Sequence, residues 1–288
     1  MTWAIGSTLL GAAIIVYGLS DVFLTLVHPH ARGRMTRGIV AGVWRLTSRL
    51  GGRARAAAGP LATLGVVLSW TAAQAVGWAL VYLPHVPEGF SYAEGIDPGR
   101  YHDASEALYM SLVSLSTVGF GEVVAIEPTI RLLAAVEAVT GFALLTASAT
   151  WLLQLFPTLA RRRTAALSLS LLGQAGYAEQ LEGMDAASAS AVLHEAARQI
   201  ASVRVDLGQS PESYYFREGE KPTSLGHALP IAVALAERAQ SSTMAAVRGA
   251  GGVLNNALDD LGTCLRDNFD IRGDSRAELI AAFARDHA

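Results

Sequence analysis

Residues 116–122 read Ser-Thr-Val-Gly-Phe-Gly-Glu, a short polar stretch in a chain that is otherwise rich in apolar residues. Its glycines alternate with larger residues, and glycine adopts the positive φ angles that a residue with a Cβ resists. Such an alternation lets the backbone turn successive carbonyl oxygens to the same side. A loop in a soluble protein could have the same sequence. The neighbouring segments have to show whether this stretch is such a loop or a row of carbonyl oxygens that point to one side.

The composition favours a membrane protein. Of the 288 residues, 51% are hydrophobic and 16% are charged, which is more apolar than is usual for a soluble protein. Each of three stretches reaches the ~20 apolar residues of a membrane-spanning helix. These stretches are residues 3–27, 60–83 and 130–156. The first lacks the basic start of a signal peptide, so we expect it to be an anchor. The lone Cys264 excludes an intrachain disulfide and a cysteine metal cluster.

The distribution of arginine predicts the topology. Segment 28–59 contains seven arginines and no acidic residue, and three more occupy 161–163. Segment 84–129 contains one arginine, Arg100. Since positively charged residues favour the cytoplasmic side, we expect 28–59 and everything after 160 to be cytoplasmic. The N-terminus and 84–129 are then outside, in a multi-pass protein of the plasma membrane.

The segment before the glycines, 104–116, is apolar but too short to cross a bilayer. Asp103 and Ser105 suit the N-terminus of a helix. Because the third span must begin outside, this helix has to enter the membrane and return. Non-helical backbone at that depth survives only when it is buried in protein or faces water. The order of elements therefore predicts an all-α membrane protein with three transmembrane helices, a re-entrant pore helix and a helical cytoplasmic domain.

Across 60–157 this arrangement resembles the pore module of tetrameric potassium channels. The run 117–121 is similar to their selectivity filter, in which backbone carbonyls replace the hydration shell of K⁺. The resemblance implies a homotetramer in a lipid bilayer, with K⁺ as the permeant ion and no nucleic-acid partner. Phe120 stands where tyrosine is commoner, so it lacks the hydroxyl that braces the filter, and Glu122 replaces a frequent aspartate.

The same resemblance assigns the residues of the filter. The implied K⁺ ligands are the carbonyl oxygens of Thr117, Val118, Gly119 and Phe120, together with the Thr117 hydroxyl. Ser116, Gly121 and Glu122 complete the filter structure.

Two carboxyl groups lie within predicted spans, where ionised groups are costly and usually face protein or water. We expect Glu137 to brace the pore helix from behind, through Ser111 or Ser114, rather than to face the ion path. The other carboxyl is Asp21. Its expected partners are an arginine beyond the membrane, Ser69 or Thr71.

Gly141 follows Gly121 by twenty residues, the spacing at which the family places a hinge in its inner helix. Glycine also permits close helix packing in membranes, so both interpretations stay open. Counting by fours from Gly141 places Leu145, Ala149 and Leu153 on one face. Leu153 is the candidate for an apolar constriction that closes by dewetting.

The remainder, 164–288, is rich in alanine and has helical patterns at 186–206, 226–240, 243–268 and 274–286. The cluster Gly-Ala-Gly-Gly at 249–252 follows a helix-like run, so a dinucleotide-binding fold is not predicted. The linker 208–224 has aromatic and charged residues that either frame a ligand or subunit contact, or pack on the bundle. Segment 38–58 either lies along the inner membrane surface or is a solvated loop.

We therefore divide the chain into an N-terminal transmembrane helix with a basic linker (1–59), a pore module (60–160) and a helical cytoplasmic domain (161–288). An unidentified cytoplasmic ligand is one expected means of gating. A nonselective cation channel and a membrane-anchored signalling scaffold are the alternative functions. No arrangement of serine, histidine and carboxylates indicates an enzyme.

Overall fold

Three helices are long and apolar enough to cross a membrane, by their length and composition: Thr2–Leu26, Ala58–His85 and Pro128–Gln174. The three spans predicted from the sequence are therefore confirmed as helices of spanning length. The third helix is longer than predicted and continues without a break to Gln174. The structure is a computed structural model that describes residues 2–27, 33–50, 55–269 and 271–287.

Helices dominate the described residues, which confirms the all-α fold class. In chain order they are α1 (Thr2–Val27), α2 (Arg34–Leu50), α3 (Ala58–Tyr82), α4 (Asp103–Leu115), α5 (Pro128–Gln174), α6 (Tyr177–Gln180), α7 (Ala186–Gln209), α8 (Leu225–Gln240), α9 (Ala245–Phe269) and α10 (Arg276–His287). Short 3₁₀ turns occur at Leu83–His85, Pro98–Arg100, Leu181–Gly183, Pro211–Tyr215 and Lys221–Thr223. Two three-residue strands, β1 (Phe90–Tyr92) and β2 (Val123–Ala125), pair antiparallel. The strands were not predicted, because each is too short to show an alternating pattern.

The chain forms two compact units. One comprises residues 1–41 and 63–152, and the other comprises residues 42–62 and 153–288. The first contains the segment 116–122. The second contains the four helices predicted for the C-terminal part, whose ends agree with α7 to α10 to within three residues.

In the first unit, α1 packs closely on α3. A Cβ at Gly11 would overlap the carbonyl oxygen of Gly77, so only a residue without a side chain fits at this crossing. The hydroxyl of Ser7 also donates to the Leu80 carbonyl oxygen at 2.7 Å. Small residues at a crossing let helix backbones approach closely in a membrane. The extra N-terminal helix is therefore docked on the outer helix α3.

Asp21 joins three helices. Its carboxylate accepts the backbone N–H groups of Met35 (2.9 Å) and Thr36 (3.2 Å) at the start of α2, and also the Thr36 hydroxyl (2.6 Å). The indole N–H of Trp70 on α3 donates to the same carboxylate at 2.9 Å. A carboxylate at a helix N-terminus satisfies free N–H groups and complements the helix dipole. Asp21 thus caps α2 from outside that helix.

The hydroxyl partners predicted for Asp21 were wrong. Ser69 and Thr71 donate instead to carbonyl oxygens of their own helix, those of Val66 and Val67. In an apolar helix a hydroxyl finds its nearest acceptor one turn back along the same backbone.

We expect Asp21→Asn to destabilise the protein. The amide would present an NH₂ group to donors, and each buried donor left unsatisfied costs about 1–3 kcal/mol. The apparent midpoint of thermal unfolding of the full chain in detergent measures the effect. Asp97→Asn makes the same change at a side chain that is 63% exposed and should leave the midpoint unchanged. Equal midpoints for both variants would contradict the capping role.

The predicted alternatives for 38–58 can now be separated over 38–50. This part belongs to α2 and is not a solvated loop. Val40 and Thr47 are buried, whereas Leu46 and Leu50 are exposed. Residues 51–54 lie outside the described residues, and a position along the membrane surface stays a prediction.

The second unit has one continuous helical core. α9 packs against α7 and α8, and α10 packs against α8 and α9. Alanine and glycine bring the helices close together; a Cβ at Gly251, for example, would press on Ala239. The largest fully buried core residues of this unit include Leu169, Leu193, Ile200, Leu207, Leu225, Leu229, Leu235 and Phe283.

An aromatic cluster in this unit shows where residues of the linker 208–224 pack. Tyr214 stacks on Phe269 with ring centroids 4.3 Å apart and lies edge-on to His287 at 4.8 Å. Trp44 of α2 packs against Tyr215 at 5.3 Å. The linker therefore packs on the helical bundle, the second of the two predicted alternatives.

His287 is buried at the centre of this cluster. Burial lowers the pKa of His287 to about 4, and the nearby Arg162 guanidinium acts in the same direction. The carbonyl oxygens of Tyr214 and Phe283, 2.7 and 3.0 Å from its two ring nitrogens, act in the opposite direction but do not offset the loss of water. The imidazole is therefore neutral at physiological pH.

This histidine makes the stability of the second unit dependent on pH. The unfolded chain binds a proton near the ordinary pKa of about 6.5, whereas folded His287 does not until about pH 4, so stability is lost as pH falls through this window. At pH 5.5 the loss is on the order of 1 kcal/mol. We expect the apparent unfolding midpoint to fall between pH 7.5 and 5.5 by less in His287→Gln than in the wild type. His194→Gln, at an exposed position, should behave like the wild type.

Candidate functional site

The short helix predicted at 104–116 is confirmed as α4, Asp103–Leu115, and its role as a pore helix stays a prediction. Asp103 and Glu106 lie in its first turn, where negative charge complements the helix dipole. At its other end the N–H groups of Ser116, Thr117 and Val118 donate to carbonyl oxygens of the last turn, at 3.0–3.2 Å. The amides that follow α4 are therefore used to cap it.

The backbone of 117–121 alternates in handedness. Thr117, Gly119 and Gly121 have φ angles of 57°, 56° and 81°, whereas Val118 and Phe120 are not in the positive region. A positive φ is uncommon for a β-branched residue such as threonine and costs of order 1–3 kcal/mol, so the surrounding structure has to hold it. An alternation of this kind turns successive carbonyl oxygens to one side.

The carbonyl groups of this stretch are free of backbone partners. Among the described residues, no backbone N–H donates to the carbonyl oxygens of 117–120. The stretch is also uncovered: the exposed fractions of Val118 and Phe120 are 55% and 69%. Polar backbone with apolar neighbours and no backbone partner among the described residues requires water or another chain against it.

The outer end of the stretch is fixed to the rest of the unit. The Tyr109 hydroxyl on α4 donates to the Glu122 carboxylate. The Glu122 carbonyl oxygen accepts the N–H of Ala93 at 2.7 Å, next to the β1–β2 pairing. Phe120 has no hydroxyl that could anchor the stretch. The hydrogen bond between Tyr109 and Glu122 ties its outer end to α4 instead.

Glu137 braces this region from behind. The carboxylate is fully buried and accepts the Ser111 hydroxyl at 2.6 Å, so one of its two predicted partners is confirmed. It also accepts the Tyr82 hydroxyl at 2.5 Å, which the sequence did not reveal. The three residues belong to α5, α4 and α3, so one carboxylate fastens the pore helix to both long helices.

Gly141 lies against the end of the pore helix. A Cβ at this position would overlap the carbonyl oxygen of Leu115. The glycine therefore serves close packing, one of its two predicted roles, and α5 continues through it without interruption. A hinge at Gly141 stays a prediction.

A cavity of about 290 Å³ opens directly below the start of the stretch. Its walls come from α3, α4, α5 and the residues that follow α4. Among the lining residues are Ser116, Thr117, Phe142 and Leu145. The carbonyl stretch therefore begins at the wall of this cavity.

Residues 61–156 match a family described as an ion channel. The matched region begins in α3 and ends in α5, so it contains α4, the stretch 117–121 and all residues that line the cavity. This match indicates an ion channel. Selectivity and subunit number are not part of it.

One curated relative of this chain is an uncharacterized membrane protein, YdjJ of Bacillus subtilis (strain 168). The two sequences are 24% identical over 175 residues, which cover 59% of this chain and 50% of the relative. The chain thus spans about half the length of the relative that it matches. No solved structure matches the chain.

The predicted gate residues Leu145, Ala149 and Leu153 lie on an exposed side of α5. Leu145 and Leu153 are 69% and 65% exposed, and Ala149 is exposed as well, whereas Leu144 and Trp151 are buried. Sequence reasoning missed Pro157, which lies inside α5. Proline has no N–H to donate to the Leu153 carbonyl oxygen, so the helix is weakest at this turn. A proline within a long apolar run was the available signal.

Proposed function

We propose that the protein is a potassium-selective channel that conducts K⁺ passively through a homotetrameric pore. The observation that carries the proposal is the backbone of 117–121, with positive φ angles at alternate residues and, within the part of the chain that the structure describes, no backbone hydrogen bond to the carbonyls of 117–120. Rings of such carbonyls replace the hydration shell of K⁺. The carbonyls of Thr117, Val118, Gly119 and Phe120, with the Thr117 hydroxyl, are the proposed ligands.

The exposure of this stretch supports assembly around an axis. One chain supplies a single strand of carbonyls and leaves Val118 and Phe120 uncovered. A closed ring of identical chains covers each strand with its neighbours and surrounds the ion on all sides. Four copies follow from the resemblance to tetrameric potassium channels.

The missing hydroxyl at Phe120 supports one second candidate, a nonselective cation channel. A filter with fewer braces discriminates less well between ions if its selectivity depends on a fixed cavity size. The bond between Tyr109 and Glu122 and the buried Glu137 supply other braces, and for this reason we favour potassium selectivity.

Ion flux into liposomes tests the proposal. The purified full chain is reconstituted, and uptake of K⁺ and Na⁺ is compared with that of empty liposomes. K⁺ uptake with little Na⁺ uptake is expected. Equal uptake of both ions would support the nonselective channel, and silence in all conditions would support a signalling scaffold. Native mass spectrometry of the same preparation counts the subunits.

We further propose that the pore is gated at Leu153 under control of the cytoplasmic domain. α5 runs without a break from Pro128 to Gln174, and its residues Ala166 and Leu169 belong to the core of the second unit, so a movement of that core can reach Leu153 along one helix. Leu153→Asp should raise the open probability in single-channel recordings, because a charged ring keeps a constriction wet. Leu132→Asp, at an equally exposed position near the start of α5, should not. Unchanged gating in Leu153→Asp would place the gate elsewhere.

A further inference from the structure

Two arginines of the second unit, Arg55 and Arg217, are brought together by the packing of the linker 208–224. The ring of Phe216 lies against Gly59 near the start of α3, so closely that a Cβ on this glycine would overlap the ring. Arg217 follows Phe216 directly, and Arg55 precedes Gly59 by four residues. The contact between Phe216 and Gly59 therefore places the two positive charges near each other.

Neither guanidinium has a hydrogen-bond or ion-pair partner among the residues that the structure describes. The Nε atom of Arg55 and the Nε and Nη1 atoms of Arg217 are buried and donate no hydrogen bond. A buried donor without an acceptor is costly, and more so when it belongs to a charged group. These N–H groups therefore call for an acceptor that the described residues do not supply.

The surroundings of Arg217 leave its donors available. Its guanidinium lies over the ring of Trp44, with Cζ 4.1 Å from the ring centroid. A cation–π contact uses the flat face of the guanidinium, whereas the N–H groups point outward in its plane. The aromatic residues of the linker thus pack on the helical bundle, and the polar edge of Arg217 takes no part in that packing.

The positive charge is not balanced within the described part of the site. Burial lowers the pKa of Arg217, and the positive charge of Arg55 lowers it further. The carboxylate of Asp286 acts in the opposite direction, but it is exposed and accepts the Tyr214 hydroxyl at 2.8 Å instead of pairing with Arg217. Two like charges without a counter-charge favour the binding of an anion.

The chemistry of the donors selects the kind of anion. A guanidinium presents its N–H groups as a planar fork that matches two oxygens of one anionic group. A phosphate group has more acceptor oxygens than a carboxylate and can therefore bind two forks at once.

We propose that Arg55 and Arg217 together bind the phosphate group of an anionic ligand. The topology expected from the arginines puts this site on the cytoplasmic side, where such a group occurs in anionic lipids of the inner leaflet and in soluble phosphate compounds. The site binds through the chemistry that both sources share. The proposal goes beyond ion conduction and does not depend on it.

The bound phosphate would lie beside a contact that joins the linker to α5. Glu218, the residue after Arg217, pairs with Arg162 of α5 at 2.5 Å. The ligand is thus held one residue away from the ion pair that fastens the linker to this helix.

Thermal unfolding of the full chain in a neutral detergent tests the site. The apparent midpoint is measured at constant ionic strength with potassium pyrophosphate, and separately with dioctanoyl phosphatidic acid. Dioctanoylglycerol, the same lipid without its phosphate, is the control for the second probe. A ligand that binds only the folded chain raises the midpoint, by roughly 5 °C when its concentration is about a hundred times its dissociation constant.

The variants Arg55→Gln and Arg217→Gln should lose this rise, because each removes one of the two forks. Arg272→Gln removes an exposed arginine of the same unit and should keep the full rise. General effects of the salt act equally on all four chains and cancel in the comparison. If one of the two site variants does not unfold cooperatively, the other decides the result.

A rise with pyrophosphate that the site variants lose supports the site and identifies a soluble phosphate compound as its ligand. A rise that occurs only with phosphatidic acid and is lost in the same variants supports the site and identifies a lipid. If neither probe raises the midpoint of the wild type above that of the site variants, the proposal is overturned.

The same measurement is independent of the channel function, because it involves no ion flux. A chain that carries K⁺ flux but shows no rise with either probe overturns this site and leaves the channel standing. A rise that depends on Arg55 and Arg217 in a chain without flux supports the site and overturns the channel.

Discussion

Gly119→Ala is expected to abolish K⁺ flux and to leave membrane insertion and the tetramer intact. Gly119 has a φ angle of 56°, where a residue with a Cβ costs roughly 1–2 kcal/mol. Alanine relieves this cost by moving to a negative φ, which turns a neighbouring carbonyl away from the others. In the proposed homotetramer four copies change together, so every ring that includes this peptide loses its ligands. Flux should fall to the level of empty liposomes.

The control for this variant carries the same backbone cost outside the filter. Gly95 has a φ angle of 93° in the loop before α4, and a Cβ there, as at Gly119, would meet no atom within 4 Å. Gly95→Ala should therefore conduct like the wild type. If Gly119→Ala still passes K⁺ selectively, the carbonyls of 117–120 are not the ion ligands and the proposed function fails with them.

Glu218→Ala is expected to cause the largest loss of stability in the second unit. Glu218 pairs with Arg162 at 2.5 Å, and the two side chains are 2% and 3% exposed. Arg162 also donates to the carbonyl oxygens of Ser213 and Phe216 at 2.5 and 2.6 Å. Removing the carboxylate leaves a buried guanidinium uncompensated, which costs about 3–5 kcal/mol. The apparent midpoint of thermal unfolding should fall by roughly 10 °C.

Glu220→Ala provides the matched control, because this glutamate lies two residues away and is exposed. Its midpoint should equal that of the wild type. The double variant Arg162→Met with Glu218→Met should lose less stability than Glu218→Ala, because it leaves no unpaired charge in the core. A double variant that is less stable than Glu218→Ala would show that the bonds from Arg162 to the linker outweigh the ion pair.

The sequence was sufficient for those parts of the site that depend on neighbouring residues. The pore helix was predicted almost to the residue, because its apolar run and its acidic first turn are local features. The positive φ angles at Gly119 and Gly121 follow from glycine itself. The hydrogen bond between Glu137 and Ser111 could be predicted, because a buried carboxylate needs a hydrogen-bond donor and the helix before the filter has few side-chain donors.

The other contacts join residues that are far apart in the chain. Tyr82 and Glu137 are separated by 55 residues, and Trp70 and Asp21 by 49. Many hydroxyl and N–H groups could have served these carboxylates, and their choice depends on how the helices are rotated against each other. For Asp21 this rotation made Trp70 and the start of α2 the partners, not Ser69 or Thr71.

By itself the sequence determined the membrane spans, their order and the glycine stretch between them. Hydrophobic length and glycine content act locally, and the bilayer or the backbone responds to them directly. Only the tertiary structure decided how that stretch is held, through Tyr109 at its outer end and through Tyr82 and Glu137 behind it. It also decided which face of α5 is buried and which stays exposed. Both outcomes depend on packing between distant segments, because a hydrogen bond or a buried face exists only once two helices have met.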